Sequence, residues 1–278
     1  MVAFAANSLL CRAALKGSGI DAASFTLVRI LSGAVTLWLI ATLRKADWRQ
    51  ASNWMSALAL FAYAAAFSFA YVTLSAGTGA LLLFGAVQAT MILWGFRRGE
   101  RLRAPQVVGL AVALAGLAVL VAPGVTAPPL MGSLLMLSAG AAWGVYSLRG
   151  KGARDPLGAT AGNFARALPF ALALSAAFLP SARFDAAGVT YAVLSGAIAS
   201  GVGYAIWYTA LPSLRAVTAA TVQLSVPVIA AAGAIVLLGE PLTARFVIAA
   251  VAVLGGIALV VTTRSQAART ESAVQPRN

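Results

Sequence analysis

Apolar residues run along this chain in long blocks, separated by short gaps that hold the charged residues, glycines and prolines. With those gaps as boundaries the chain resolves into ten apolar runs, near 2–16, 22–43, 53–74, 78–96, 105–122, 130–149, 157–179, 187–211, 216–238 and 244–263. A helix that crosses a bilayer needs roughly 17–25 mainly apolar residues, which nearly all of these runs supply. Barrel strands would be about half as long and would alternate polar with apolar positions, so helices are the spanning form. The pattern predicts an all-α integral membrane protein of ten transmembrane helices. The polar stretch 264–278 has no apolar periodicity and reads as a disordered cytoplasmic tail.

Composition closes off the soluble alternatives. Of 278 residues, 61% are hydrophobic and 10% charged, with a mean hydropathy of +0.89. So few charges could not cover a soluble domain of this length. A net charge of +13 would suggest nucleic acid in a soluble protein, but here the basic residues sit in the gaps between spans and act as topology signals. The gaps after spans two, four, six and eight, with the tail, carry fourteen Lys and Arg; the opposite side carries only Arg12, Lys16, Arg183 and Arg245. That bias places both termini in the cytoplasm. Trp38, Trp48, Trp54 and Trp94 fall near the expected membrane faces, as an interfacial belt would. Met1 leads into apolar sequence without a basic segment, so the first run is expected to stay as a helix rather than be cleaved. One cysteine, Cys11, and no histidine leave no disulfide framework, no Cys/His metal site and no evident cofactor.

The chain also repeats itself. "GERLRAPQVVGLAVALAGLAVLV" from Gly99 and "GEPLTARFVIAAVAVLGGIALVV" from Gly239 align without a gap at an offset of 140. Upstream, Arg12 matches Arg149, Arg29 matches Arg166 and Tyr71 matches Tyr208 at an offset of 137. The reading is two five-helix halves, 1–123 and 130–263, joined by a linker at 124–129. Five is odd, so the halves would enter the membrane from opposite sides, as in carriers that alternate access about a central site. Glu100 and Glu240 then sit at equivalent hairpins. The preceding glycine can end one helix, and the carboxylate lies near the positive end of the next. A turn-and-cap role is the plain reading for both, and gating or proton sensing the sharper one.

Ten helices in two inverted halves, each with a Gly-Glu-x-Leu phrase after its fourth helix, resemble the drug/metabolite transporter superfamily in its EamA-type ten-helix branch. The resemblance covers residues 1–263. "AAWGVY" at 141–146 and "GYAIW" at 203–207 are similar to segments of bacterial amino-acid exporters of that branch, and in "LLFGAVQ" Phe84 stands as the nearest aromatic counterpart. The resemblance implies export of small metabolites across a bacterial inner membrane, through a cavity lined by both halves. The partners it implies are a small-molecule substrate and the lipid bilayer, with no nucleic acid and a monomeric carrier.

An amphipathic substrate needs an apolar, aromatic wall and a few orienting polar groups. The third span offers Phe61, Tyr63, Phe67 and Tyr71, the last three on one helix face at i, i+4 and i+8. In the sixth, "GAAWG" sets Trp143 between Gly140 and Gly144, a spacing that lets a neighbouring backbone approach and turns the indole into the bundle. Tyr146, Tyr204 and Trp207 fit either the wall or an interfacial belt. Asn7, Gln88 and Gln223 lie within apolar helices and are expected to face protein or a wet cavity, as helix–helix ties or as substrate contacts. Pro227 in "QLSVPVIAA" removes a backbone hydrogen bond and predicts a kink in the ninth span. Arg29 and Arg166 sit inside spans, where snorkelling, helix tying or gating competes with binding of a substrate carboxylate.

Absences narrow the mechanism. None of the seven acidic residues falls near the middle of a span, so a carboxylate relay for proton antiport has no support and facilitated export is the simpler reading. Proton coupling, or a cargo of other metabolites or drugs, is the alternative. No nucleophile–base pair or metal cluster supports an enzyme, and no ring-forming filter motif supports a channel.

Overall fold

The computed structural model describes residues 1–47, 52–99, 103–150, 153–210, 214 and 222–274, with side chains to residue 262. Within those residues the chain forms ten long helices: α1 (Val2–Gly17), α2 (Ala22–Leu43), α3 (Trp54–Tyr71), α4 (Ala76–Arg97), α5 (Ala104–Val121), α6 (Leu130–Gly150), α7 (Pro156–Ala177), α8 (Ala186–Ala210), α9 (Ser225–Leu238) and α10 (Ala244–Val274). Seven of them are long and apolar enough to cross a membrane, and the protein is a multi-pass integral membrane protein. α1 and α7 carry more polar residues, among them Asn7, Ser8 and Arg12 in one and Thr160, Asn163 and Arg166 in the other. Glu100, Trp48 and residues 216–221 of the expected ninth span lie outside the described residues.

Two expectations change. The backbone of α10 continues through Val274, where an irregular tail was expected from residue 264. The segment "SQAARTESAV" contains no glycine or proline to stop a helix, and Pro276 is the first breaker. In α8, residues Leu194–Val202 form a π-helical segment inside what the apolar run suggested was plain α-helix. The cause is close packing on α2. A Cβ on Gly196 would overlap the carbonyl oxygen of Arg29, and one on Gly201 would meet Thr36 at 2.9 Å. The wider π turn absorbs that approach.

The expected break near Pro227 takes a definite form. Residues 222–223 are helical, Leu224 is a turn, and α9 restarts at Ser225. Pro227 lacks the N–H that would have bonded the Gln223 carbonyl, which ends the preceding turn.

Short-range chemistry explains most helix starts. Asp21, Asn53, Ser75, Asp155 and Asp185 each accept a backbone N–H in the first turn of α2, α3, α4, α7 and α8. Three of these carboxylates reach further. The second oxygen of Asp21 accepts the Arg183 N–H (2.8 Å), Asp185 Oδ1 accepts the Gly19 N–H (3.1 Å), and Asp155 Oδ2 accepts the Asp47 N–H (3.1 Å).

Helix packing pairs early helices with late ones as well as with their chain neighbours. α2 packs on α7 and α5 on α10; α3 packs on α6 and α7, while α8 packs on α1 and α2; α4 packs on α6, and α9 on α1. α5 and α10 lie at the periphery and present Val107, Val108, Val112, Val247, Ile248 and Val251 outward, as a lipid-facing surface would. Trp38, Trp54 and Trp94 are also exposed. The buried interior between α1, α2, α3, α6, α7 and α8 holds the candidate site.

Candidate functional site

Helical spacing puts Tyr63, Phe67 and Tyr71 on the buried face of α3, with ring centroids 5.4 and 4.7 Å apart in succession. Opposite them, α6 uses Gly140 and Gly144 to lie on α4; a Cβ at Gly140 would stand 2.6 Å from the Leu83 carbonyl oxygen. Trp143 turns away from that contact and stacks among Tyr63 (4.9 Å), Tyr146 (5.3 Å) and Tyr204 (5.3 Å). Tyr204 comes from α8 just beyond the π segment and also touches Phe164 of α7 and Phe4 of α1. Five helices thus contribute to one aromatic cluster.

Its polar centre is Arg29, 2% exposed. Nη2 donates to the Tyr63 hydroxyl at 2.9 Å, and Asn7 Nδ2 donates to the same oxygen at 3.4 Å. The guanidinium lies 4.7 Å from the Phe67 ring centroid and 5.2 Å from that of Tyr63, within cation–π range. Ser195, on the π segment, donates its hydroxyl to Asn7 Oδ1. Arg29 Nη1 has no hydrogen-bond partner, and among the described residues no carboxylate lies within ion-pair distance of Arg29.

The remaining candidates are distributed elsewhere. Trp207 is half-buried against Phe4, at the edge of the cluster. Phe61 faces α7, with its ring 5.7 Å from Phe170. Phe84 is buried in α4, and Gln88, one turn on, lines a space of about 10 Å³ between α4, α5 and α10 rather than the cluster. Gln223 is half-buried beside the Leu224 interruption. Arg166 is half-buried and donates to Ser52 in the α2–α3 connection, so it differs from its sequence counterpart Arg29 in both depth and partner. Ser195 was not visible as a candidate. The only sequence trace of it is the glycine-rich "SGAIASG" that makes the π segment.

A second polar centre lies nearer one face. Gly239 adopts a left-handed conformation (φ +62°) that turns Glu240 inward. Glu240 Oε1 accepts from Arg12 Nε at 2.9 Å and Oε2 from the Ala76 N–H at 2.7 Å. Arg12 Nη1 donates to the carbonyls of Tyr71 (2.9 Å) and Val72 (3.1 Å). Glu240 therefore caps α4, 164 residues away in the chain, not α10 as its position suggested. A cavity of about 250 Å³ opens beside this latch, lined by Arg12, Lys16, Thr73, Ser75, Glu240 and Phe246 among others. Arg149, which matches Arg12, bonds Ser56 Oγ and Asn53 Oδ1, both at 3.1 Å. Among the described residues no cluster of His, Cys, Asp and Glu could hold a metal ion.

A membrane bundle with an aromatic, polar-centred interior can be set beside known proteins. Residues 130–262 match the EamA-like transporter family. The whole chain is 57% identical to an uncharacterized protein of Pseudomonas aeruginosa, over 98% of this chain and 96% of that one. The chain belongs to the EamA-like transporter family. This EamA-like transporter is also 27% identical, over 66% of each chain, to a protein of Escherichia coli K12 described as a probable amino-acid metabolite efflux pump. A crystal structure 19% identical in sequence superposes with a TM-score of 0.64 over 94% of this chain and 96% of that one, a likeness of fold.

Proposed function

We propose that this EamA-like transporter exports small amphipathic metabolites, foremost amino acids with aromatic or other neutral side chains, by alternating access about the Trp143 cluster. The observation that carries this reading is the cluster itself: Trp143, Tyr63, Tyr146 and Tyr204 in mutual contact around the polar groups of Arg29 and Asn7, built by helices from both halves of the chain. Aromatic faces accept an apolar side chain and the polar groups orient its head. The E. coli relative, a probable amino-acid metabolite efflux pump, supports the same cargo.

The pairing of early helices with late ones supports an inverted repeat of residues 1–123 and 130–263. So do the matched loop braces of Asp21 on Arg183 and Asp155 on Asp47. The basic loops support an inner-membrane protein with both termini in the cytoplasm. Glu240 spends both oxygens on Arg12 and Ala76, which favours a structural latch over a proton relay, and with it facilitated export. In this conformation the ring contacts fill the centre, so substrate entry requires Trp143 or Tyr204 to move.

Counterflow of labelled phenylalanine, methionine and threonine into liposomes tests the reading. Saturable uptake that falls in Trp143→Ala and ignores an imposed proton gradient is the expected result. Uptake that needs the gradient would favour the proton-coupled alternative. No uptake of any amino acid by folded protein would refute the amino-acid cargo.

A further inference from the structure

The cluster contains a cation that no carboxylate among the described residues balances. Arg29 is almost wholly buried, cannot lose its proton, and sits in a part of the molecule that faces neither water nor a carboxylate. Its partners are the Tyr63 hydroxyl, used by Nη2, and the faces of Tyr63 and Phe67. Nη1 is left without an acceptor. The other arginines inside the bundle are occupied differently. Arg12 is neutralised by Glu240 and satisfied by two carbonyls, and Arg166 is half-exposed and bonded to Ser52.

We propose that Arg29 anchors the carboxylate of the transported molecule, so that cargo must combine a carboxylate with an apolar or aromatic body. This rests on the reading of the Trp143 cluster as the substrate site. A guanidinium fork is built to accept a carboxylate, and an anion at Nη1 would supply both the missing acceptor and the missing charge. The Tyr63 ring touches both Arg29 and Trp143, so a molecule held at Nη1 lays its body along the indole and Tyr204. Asn7 and Ser195, joined to each other and to Tyr63, fix the guanidinium's side of the site. A neutral amide of the same shape would fill the aromatic wall but leave the charge of Arg29 unanswered.

Binding to the full-length protein in lipid nanodiscs, followed by calorimetry, decides this with two matched pairs: phenylalanine against phenylalaninamide, and 3-phenylpropionate against 3-phenylpropionamide. In the wild type each acid is expected to bind on the order of 10- to 100-fold tighter than its amide, the range for a hydrogen bond to a charged group. Arg29→Met brings the acid-to-amide ratio close to one, Arg29→Lys keeps part of the preference, and Trp143→Ala weakens acid and amide together. Equal binding of acid and amide by wild type, with both lowered in Trp143→Ala, overturns the anchor and leaves the aromatic site standing. Binding indifferent to Trp143→Ala removes the site and the anchor with it, and failure of both acids to bind overturns the anchor outright. Should Arg29→Met fail to fold, the acid-to-amide ratios of wild type and Arg29→Lys decide the matter.

Discussion

Replacing Glu240 with alanine takes away two hydrogen-bond acceptors at once, that of Arg12 Nε at 2.9 Å and that of the Ala76 N–H at 2.7 Å. Breaking a buried ion pair by removing one partner costs about 3–5 kcal/mol, because the other charge stays buried. Arg12 retains the carbonyls of Tyr71 and Val72, which places this case at the lower end, about 3 kcal/mol. The pair ties the end of α1, the α3–α4 connection, the start of α4 and the α9–α10 turn, so the cost falls on closure of that one face. In a two-state equilibrium about 3 kcal/mol raises the open population on the order of 100-fold.

Cys11, the only cysteine, directly precedes Arg12 and is buried, so it reports opening without any engineered label. When reclosing outruns the reagent, its rate of maleimide labelling follows the open population. Glu240→Ala is expected to label roughly 100-fold faster than wild type in detergent. The double variant Arg12→Met with Glu240→Leu should label more slowly than the single one, because no orphaned charge remains. A Glu240→Ala rate within about threefold of wild type would refute the latch.

Two packing predictions follow from close backbone approaches. Gly140→Val places branched carbons against the Leu83 carbonyl and Ala86, and should lower stability by about 1–3 kcal/mol in a mixed-micelle unfolding titration. Gly196→Ala drives a methyl into the Arg29 carbonyl and Ser32, so it should reduce transport more than Gly203→Ala, whose nearest neighbours are the side chain of Ala3 at 2.9 Å and the Ile198 carbonyl at 3.6 Å. Equal counterflow in the two glycine variants would contradict a role for the π segment in shaping the site.

The architecture was legible because lipid forces every span to be a long apolar block and leaves charge only for the connections. The ten runs therefore correspond to ten helices, and "GAAWG" indicated a close backbone approach and an inward indole, though not that α4 is the partner. Tertiary geometry was not legible in the same way. Tyr63 and Phe61 lie two residues apart on α3, yet the first joins the cluster and the second faces Phe170. Arg29 and Arg166 match in sequence at an offset of 137 but are unequal in depth, since α8 covers the first and Ser52 receives the second. Ser195 and the target of Glu240 depend on contacts between residues 188 and 164 positions apart, beyond any local pattern.

The acidic residues offer a last test, one that treats the two halves as copies. Asp21 caps α2 with Oδ1 and uses Oδ2 to hold the Arg183 N–H of the α7–α8 connection. Asp155 caps α7 with Oδ1 and uses Oδ2 to hold the Asp47 N–H of the α2–α3 connection. Substituting Asn at either position keeps the capping oxygen and replaces the bracing oxygen with an NH₂ that cannot accept. Each brace is solvent-exposed, so its loss is worth about 0.5–1 kcal/mol, or roughly a two- to fivefold rise in hydrogen exchange of the braced amide. Asp21→Asn should accelerate Arg183, and Asp155→Asn should accelerate Asp47, by similar factors at opposite faces. For Asp21 the effect also depends on pH. Its partial burial works to raise the carboxyl, but hydrogen bonds from the N–H groups of Arg183, Ser24 and Ala23 prevail and hold it below its ordinary value. A depressed folded value stabilises above the ordinary carboxylate range, about pH 4, and that contribution is lost as pH falls through the folded value. The difference between wild type and Asp21→Asn should therefore be full at neutral pH and shrink only in acid below that range. A brace that responds in one half and is silent in the other would show that the two halves do not share this device.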